Sequence, residues 1–89
     1  QYKEKADRDL KRVIELTNQY ESEHLTDYRL YYIRGIAKYE LNRLIQAKPD
    51  LDKAVQLYES CPANYRDVHE LREIKAALRD IEAYKKTGG

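Results

Sequence analysis

Glycine is almost absent from the interior of this chain. Of its three glycines, Gly88 and Gly89 end the sequence, so Gly35 alone lies inside it, and only two prolines are present. β-Sandwiches and β-barrels need a turn roughly every 8–12 residues, and those turns draw on Gly, Pro, Asn and Asp. The sequence therefore predicts an all-α fold with few connections.

Four segments carry apolar residues at intervals of three and four, which is the spacing of one face of an α-helix. The predicted helices form a single domain over residues 1–87. They span about residues 2–20, 27–41, 44–59 and 64–86. Residues 88–89 are expected to be a disordered tail or a remnant of cloning.

Short polar side chains mark the predicted helix ends. Thr26 or Asp27 is predicted to cap the second helix, and Asn64 the fourth, because their side chains accept hydrogen bonds from free backbone N–H groups. Asn42 is predicted to end the second helix, since Asn tolerates the left-handed conformation.

Pro49 leaves the start of the third helix open between two alternatives. Proline inside a helix removes a hydrogen bond and clashes with the preceding turn, at a cost of about 3 kcal/mol. It is tolerated in the first turn. The third helix therefore begins either near Lys48, or near Arg43 with a kink at Pro49.

Composition excludes several functional classes. Seventeen Lys plus Arg against sixteen Asp plus Glu give a net charge of +1 with the signs mixed, so no nucleic-acid partner is expected. No apolar run approaches the roughly 18–20 residues of a membrane span. The chain does not begin with Met, so we expect a domain cut from a longer protein or a processed form, and no segment indicates its localisation.

The first and third predicted helices share a pattern. Ala6, Leu10, Val13 and Leu16 have the same spacing as Ala47, Leu51, Ala54 and Leu57, 41 residues further along the chain. Small residues let a neighbouring helix approach, and the larger ones fill the contact. The same packing role is therefore predicted twice.

Residues 28–61 resemble one tetratricopeptide repeat (TPR), a helix-turn-helix unit of about 34 residues with the pattern W-x2-L-G-x2-Y followed by A-x3-F. Tyr31 stands at the Trp position, Gly35 matches the Gly, and Ala47 and Leu51 match the A-x3-F pair, with Ala54 three residues further. The resemblance implies antiparallel helical hairpins, stacked as a right-handed superhelical fragment of about four helices. It also explains a glycine within a helix, by close helix crossing at Gly35.

The match has departures. Arg34 replaces the pattern's Leu, Lys38 replaces its Tyr, and Pro49 interrupts the second helix of the repeat. By the resemblance, the first helix is the second half of a degenerate preceding repeat, and the fourth is a capping helix. A plain four-helix bundle is the alternative.

No motif for catalysis or cofactor binding occurs in the sequence. Phosphate-binding loops need several glycines, and His24, His69 and Cys61 lack the close spacing of zinc ligands. Neither a catalytic residue, a metal site nor a cofactor is predicted. The acidic pairs Glu21 with Glu23 and Asp50 with Asp52 are expected to lie on solvated faces and at helix N-termini.

The second helix carries the candidate binding surface. All nine aromatic residues are Tyr, which offers both a ring and a hydroxyl group to a partner. In TPR proteins the first helix of each repeat lines a concave groove, and the resemblance places a peptide site here. Its predicted residues are Arg29, Tyr32, Ile36, Tyr39 and Glu40.

The leading hypothesis is a non-catalytic scaffold for protein–protein interaction that binds a peptide or protein segment on this Tyr-rich helical face. In a second interpretation the tyrosines pack on the first helix or on a repeat that the sequence lacks. The alternative function is structural, either a self-association element or a helical-bundle element of a larger multidomain protein, and self-association would use uncovered terminal helix faces.

Overall fold

The computed structural model describes residues 2–87, and the all-α prediction is confirmed within them. Four α-helices follow one another: α1 Tyr2–Tyr20, α2 Tyr28–Glu40, α3 Leu44–Ser60 and α4 Val68–Lys86. Two short 3-10 helices, Glu21–Glu23 and Ala63–Tyr65, lie in the connections before α2 and α4. The predicted tail at residues 88–89 lies outside the described residues.

Aspartate caps begin both α2 and α4. The carboxylate of Asp27 accepts a hydrogen bond from Arg29 N at 3.0 Å, and that of Asp67 accepts one from His69 N at 2.8 Å. The predicted start of the fourth helix at residue 64 is therefore wrong, because Asn64 lies in a 3-10 helix and Asp67 is the cap. At the other end of α2, Asn42 has φ 62°, as predicted for a residue that ends a helix.

Pro49 lies inside α3, so the start near Lys48 is wrong and the helix begins beside Arg43. Proline has no N–H, and the carbonyl of Ile45 therefore loses its helical donor. Ile45 is 63% exposed, so water reaches this side of α3. Pro49 is exposed as well, so the proline lies on the solvent side of the helix.

The core forms where α2 crosses α3. A Cβ atom placed on Gly35 would lie 2.7 Å from Leu51 Cδ2 and 3.2 Å from Asp50 Cβ, so a side chain at this position would clash with Leu51 as the two helices are packed. The expected close crossing at Gly35 is confirmed. Around it the fully buried side chains come from α3 and α4, and the largest are Leu51, Ile74 and Ile81.

Helices α2 and α4 run parallel to each other. The hydroxyl of Tyr32 donates to the carboxylate of Glu73, and that of Tyr39 donates to the carboxylate of Asp80. Both pairs are separated by 41 residues. Because this separation is the same at both contacts, α4 runs in the same direction as α2 along its length. Helix α3, which lies between them in the sequence, runs antiparallel to both.

Candidate functional site

The predicted binding face of α2 is divided between two neighbours. Three of its side chains contact α4. Arg29 Nε lies 3.1 Å from Glu70 Oε1, and Tyr32 and Tyr39 donate to α4 carboxylates. Glu40 is exposed at the end of α2. Much of the expected ligand surface is thus the contact between α2 and α4, and α4 is a neighbour that neither interpretation of the tyrosines named.

Tyr28 anchors this contact at its first turn. Its ring is 3% exposed and meets the ring of Tyr58 edge-on, with centroids 5.1 Å apart. Its hydroxyl donates to Glu70 Oε1 at 2.6 Å and accepts from Asp67 N at 3.1 Å. Tyr28 therefore joins α2, α3 and α4, and its ring is not available to a ligand.

The tyrosine hydroxyls remain protonated donors over an extended pH range. Burial, together with the hydrogen bond to Glu70, raises the pKa of Tyr28, and burial with the bond to Glu73 raises the pKa of Tyr32. For Tyr39 the hydrogen bond to Asp80 is the main cause of the raised pKa. A tyrosinate beside a carboxylate would place two negative charges together, so each hydroxyl stays neutral while the contact holds.

The opposite side of α2 borders an open groove against α1. The groove has a volume of about 200 Å³, and its lining residues are Leu10, Val13, Tyr32, Ile33, Ile36 and Ala37. Tyr32 and Ile36 belong to the predicted set, and sequence reasoning missed the other four. Ile33 is 45% exposed here. The arrangement offers apolar surface and no catalytic group.

Arg34 lies at the centre of a buried polar network. Its guanidinium forms two hydrogen bonds with the carboxylate of Asp50, Nε to Oδ2 at 3.0 Å and Nη2 to Oδ1 at 2.8 Å. Nη1 donates to Asn18 Oδ1 at 2.9 Å and to Glu21 Oε1 at 2.7 Å. Lys38 Nζ lies 2.8 Å from Asp50 Oδ2. The network connects α1, the first 3-10 helix, α2 and α3.

Two expectations are corrected by this network. Asp50 was expected on a solvated face but is 6% exposed, and Glu21 bonds to Arg34 rather than serving a helix N-terminus. One signal was present in the sequence. Arg34 lies four residues after Leu30 and three before Ala37, on the buried side of α2, where an arginine needs an internal carboxylate.

The network shifts the ionisation of Glu21 and Arg34 toward their charged forms. Hydrogen bonding to Arg34 lowers the pKa of Glu21, although partial burial opposes the effect. Burial alone would lower the pKa of Arg34, but the bonds to Glu21 and Asp50 raise it overall. Among the described residues, no buried side-chain donor or acceptor lacks a partner. A fully satisfied network of this kind fixes the packing of helices.

The three residues weighed as metal ligands lie on separate parts of the fold. His24 follows the first 3-10 helix, Cys61 follows α3, and His69 is in the first turn of α4. Within residues 2–87 no three His, Cys, Asp or Glu side chains are placed to hold a metal ion. No helix in this part of the chain is long and apolar enough to cross a membrane.

No protein-family model, curated protein or solved structure matches the chain. The class of the protein is therefore defined by its fold alone. It is an all-α protein whose helices pack against one another, with one tight hairpin between α2 and α3 and an apolar groove between α1 and α2.

Proposed function

We propose that the chain is a non-catalytic, TPR-like module for protein–protein interaction that binds a peptide or protein segment. The resemblance of residues 28–61 to one repeat supports this proposal, and so does the close approach of Gly35 to Leu51 where the two helices of that repeat cross. In such modules a helical frame presents a surface, and function depends on the site rather than the frame.

The observation that carries the proposal is the groove between α1 and α2. Its lining is apolar apart from the tyrosine hydroxyl, and Ile33 is 45% exposed within it. A segment that covered this side chain would remove apolar surface from water, at about 25 cal/mol per Å². Tyr32 and Ile36 belong to the site in this proposal, whereas Arg29, Tyr39 and Glu40 lie on its α4 side or beyond it.

A selected peptide and a pair of matched variants test the proposal. A phage-displayed peptide library is panned on the chain, and the affinity of the recovered peptides is measured by fluorescence anisotropy for the wild type, Ile33→Asp and Ile45→Asp. Both isoleucines are exposed, at 45% and 63%, but only Ile33 lines the groove. Ile45→Asp is therefore a control for surface charge.

We expect Ile33→Asp to weaken binding at least about tenfold, because a carboxylate would be desolvated against apolar groups. Ile45→Asp should bind as the wild type does. If no peptide is recovered, or if the two variants bind equally well, the proposal is wrong. Far-ultraviolet circular dichroism of each variant shows that the helices are retained.

Self-association is the second candidate function, and the exposed apolar side chains favour it. Among the residues whose burial the structure describes, the exposed large apolar ones besides Ile33 and Ile45 are Tyr20, Leu25, Tyr65, Val68 and Tyr84. Sedimentation over a concentration series distinguishes the two functions, because a structural element of this kind forms dimers or higher assemblies. A monomer at every concentration would exclude self-association.

A further inference from the structure

The two halves of the chain repeat each other in sequence and in structure. The echo between α1 and α3 at a separation of 41 residues is followed by α2 and α4, which begin after caps 40 residues apart, Asp27 and Asp67. Residues 21–27 and 61–67 join the helices of each half, and each connection contains one 3-10 helix and ends on an aspartate cap. The surface of one half therefore has a counterpart in the other.

When the two halves of the chain are compared, the groove of the first half corresponds to part of the buried core in the second half. Shifted by 41 residues, its α1 positions Leu10 and Val13 fall on Leu51 and Ala54 of α3. Leu51 and Ala54 are 0% exposed, in the cluster that α3 shares with α2 and α4. Leu10 and Val13 are only half-buried. The difference is that α2 covers Leu51, where Gly35 lies against it.

One polar residue beside the groove, Asp9, indicates which kind of helix could pack there. Asp9 on α1 corresponds to Asp50 on α3, which takes both Arg34 and Lys38 of the covering helix α2. Asp9 is exposed. A helix that packed in the groove in the way that α2 packs on α3 would bring one or two basic residues to Asp9. It would also place a small residue against Leu10, as Gly35 lies against Leu51.

We propose that the groove between α1 and α2 docks an amphipathic helix of a partner segment, which runs parallel to α2 and carries a small residue facing Leu10 and a basic residue facing Asp9. This inference deepens the proposed function and rests on it. The α2 helix of a second copy does not serve as this partner, because it already lies against α3 and α4 of its own chain. The occupant is therefore a separate segment of α2-like chemistry.

A helix of known sequence tests the docking. A copy of residues 27–42 replaces Gln1, so that the added helix joins α1 through the turn by which α2 joins α3. We expect the midpoint of urea unfolding to rise and the m-value to increase, because the docked helix adds surface that unfolding exposes. Sedimentation shows whether the helix docks on its own chain, as a monomer, or exchanges between copies.

Two variants of the extended protein make the result specific. Asp9→Lys should remove most of the increase by repelling the added copies of Arg34 and Lys38, and Gly35→Leu in the added copy alone should block close approach to Leu10. Neither variant should shift the midpoint below that of the parent chain. The inference fails if the added helix gives no increase in the midpoint, or if the increase persists in both variants.

The two proposals fail in different ways. In one outcome the added helix raises the midpoint and the two variants remove the increase, while no displayed peptide binds Ile33→Asp and Ile45→Asp differently. The groove then accepts a helix of this chemistry, but the proposed peptide-binding function is wrong. If selected peptides bind at Ile33 but the added helix does not dock, the function stands and the α2-like partner is excluded.

Discussion

Arg34 and Asp50 form a bidentate ion pair across the contact between α2 and α3, with both side chains more than nine-tenths buried. Ion pairs of this kind are weak sources of net stability, because two charges must leave water. They are strong constraints on geometry, since a partner displaced from its place leaves a buried charge uncompensated. The pair therefore fixes the register of α2 on α3 beside the crossing at Gly35.

Asp50→Asn is expected to destabilise the protein by about 3 kcal/mol, because Arg34 and Lys38 lose their common carboxylate. Urea unfolding followed by circular dichroism measures the change. Asp52→Asn is the matched control, since Asp52 is half exposed and pairs with Lys48 on the surface. It should change the free energy of unfolding by less than about 1 kcal/mol. If Asp50→Asn and Asp52→Asn lowered the free energy of unfolding equally, the buried pair of Arg34 and Asp50 would matter no more than a surface pair.

The helical framework could be predicted from the sequence because it follows from periodicity and local chemistry. Asp27 and Asn42 act at the ends of α2 through groups close in the chain. The start of α4 was misplaced because Asn64 and Asp67 are both good caps, and the backbone N–H of Asp67 donates a hydrogen bond to the hydroxyl of Tyr28, which favours the second. Pro49 was ambiguous because its cost depends on solvent access to one carbonyl.

The candidate site was less predictable because it depends on which helices meet. Periodicity showed that α2 has two apolar faces, but it did not show that α4 covers Tyr39 while Ile33 stays open. The polar network has the same origin. Arg34 and Asp50 are 16 residues apart and meet only because the hairpin closes. Contacts of this range follow from topology rather than from local pattern.

Gly35→Ala is expected to destabilise the protein by about 1–3 kcal/mol, although alanine is the better helix former by about 1 kcal/mol. The new Cβ would lie 2.7 and 2.8 Å from two carbon atoms of Leu51, one of them its branched Cγ. A double-mutant cycle with Leu51→Ala checks the cause. In that background Gly35→Ala should be neutral or stabilising, and an unchanged penalty would exclude the clash with Leu51.

Acid unfolding should report the contact of Glu21 with Arg34. Because this contact lowers the pKa of Glu21 in the folded state from its ordinary value of 4.5, the stabilisation is fully present above that pH. It is lost as the pH falls through the lower folded value. Glu21→Gln should therefore flatten the loss of stability below about pH 4.5. Glu23→Gln, an exposed neighbour in the same turn, is the control and should leave the pH profile unchanged.

Alkaline unfolding should begin at the contact between α2 and α4. The pKa values of Tyr28, Tyr32 and Tyr39 are raised above 10.0 in the folded state, so the unfolded chain loses these protons first. The stabilisation is complete below pH 10 and declines as the pH rises through the raised folded values. Circular dichroism followed up to pH 12 measures the loss of helix.

A pair of phenylalanine variants isolates the tyrosine contribution to this alkaline transition. Combining Tyr32→Phe with Tyr39→Phe removes two titrating hydroxyls, so stability should fall less steeply above pH 10, although each change costs about 1 kcal/mol at neutral pH. Tyr65→Phe is the control, because Tyr65 is 65% exposed and outside the contact. If the double variant and the control have the same alkaline slope, ionisation of Tyr32 and Tyr39 does not drive the transition.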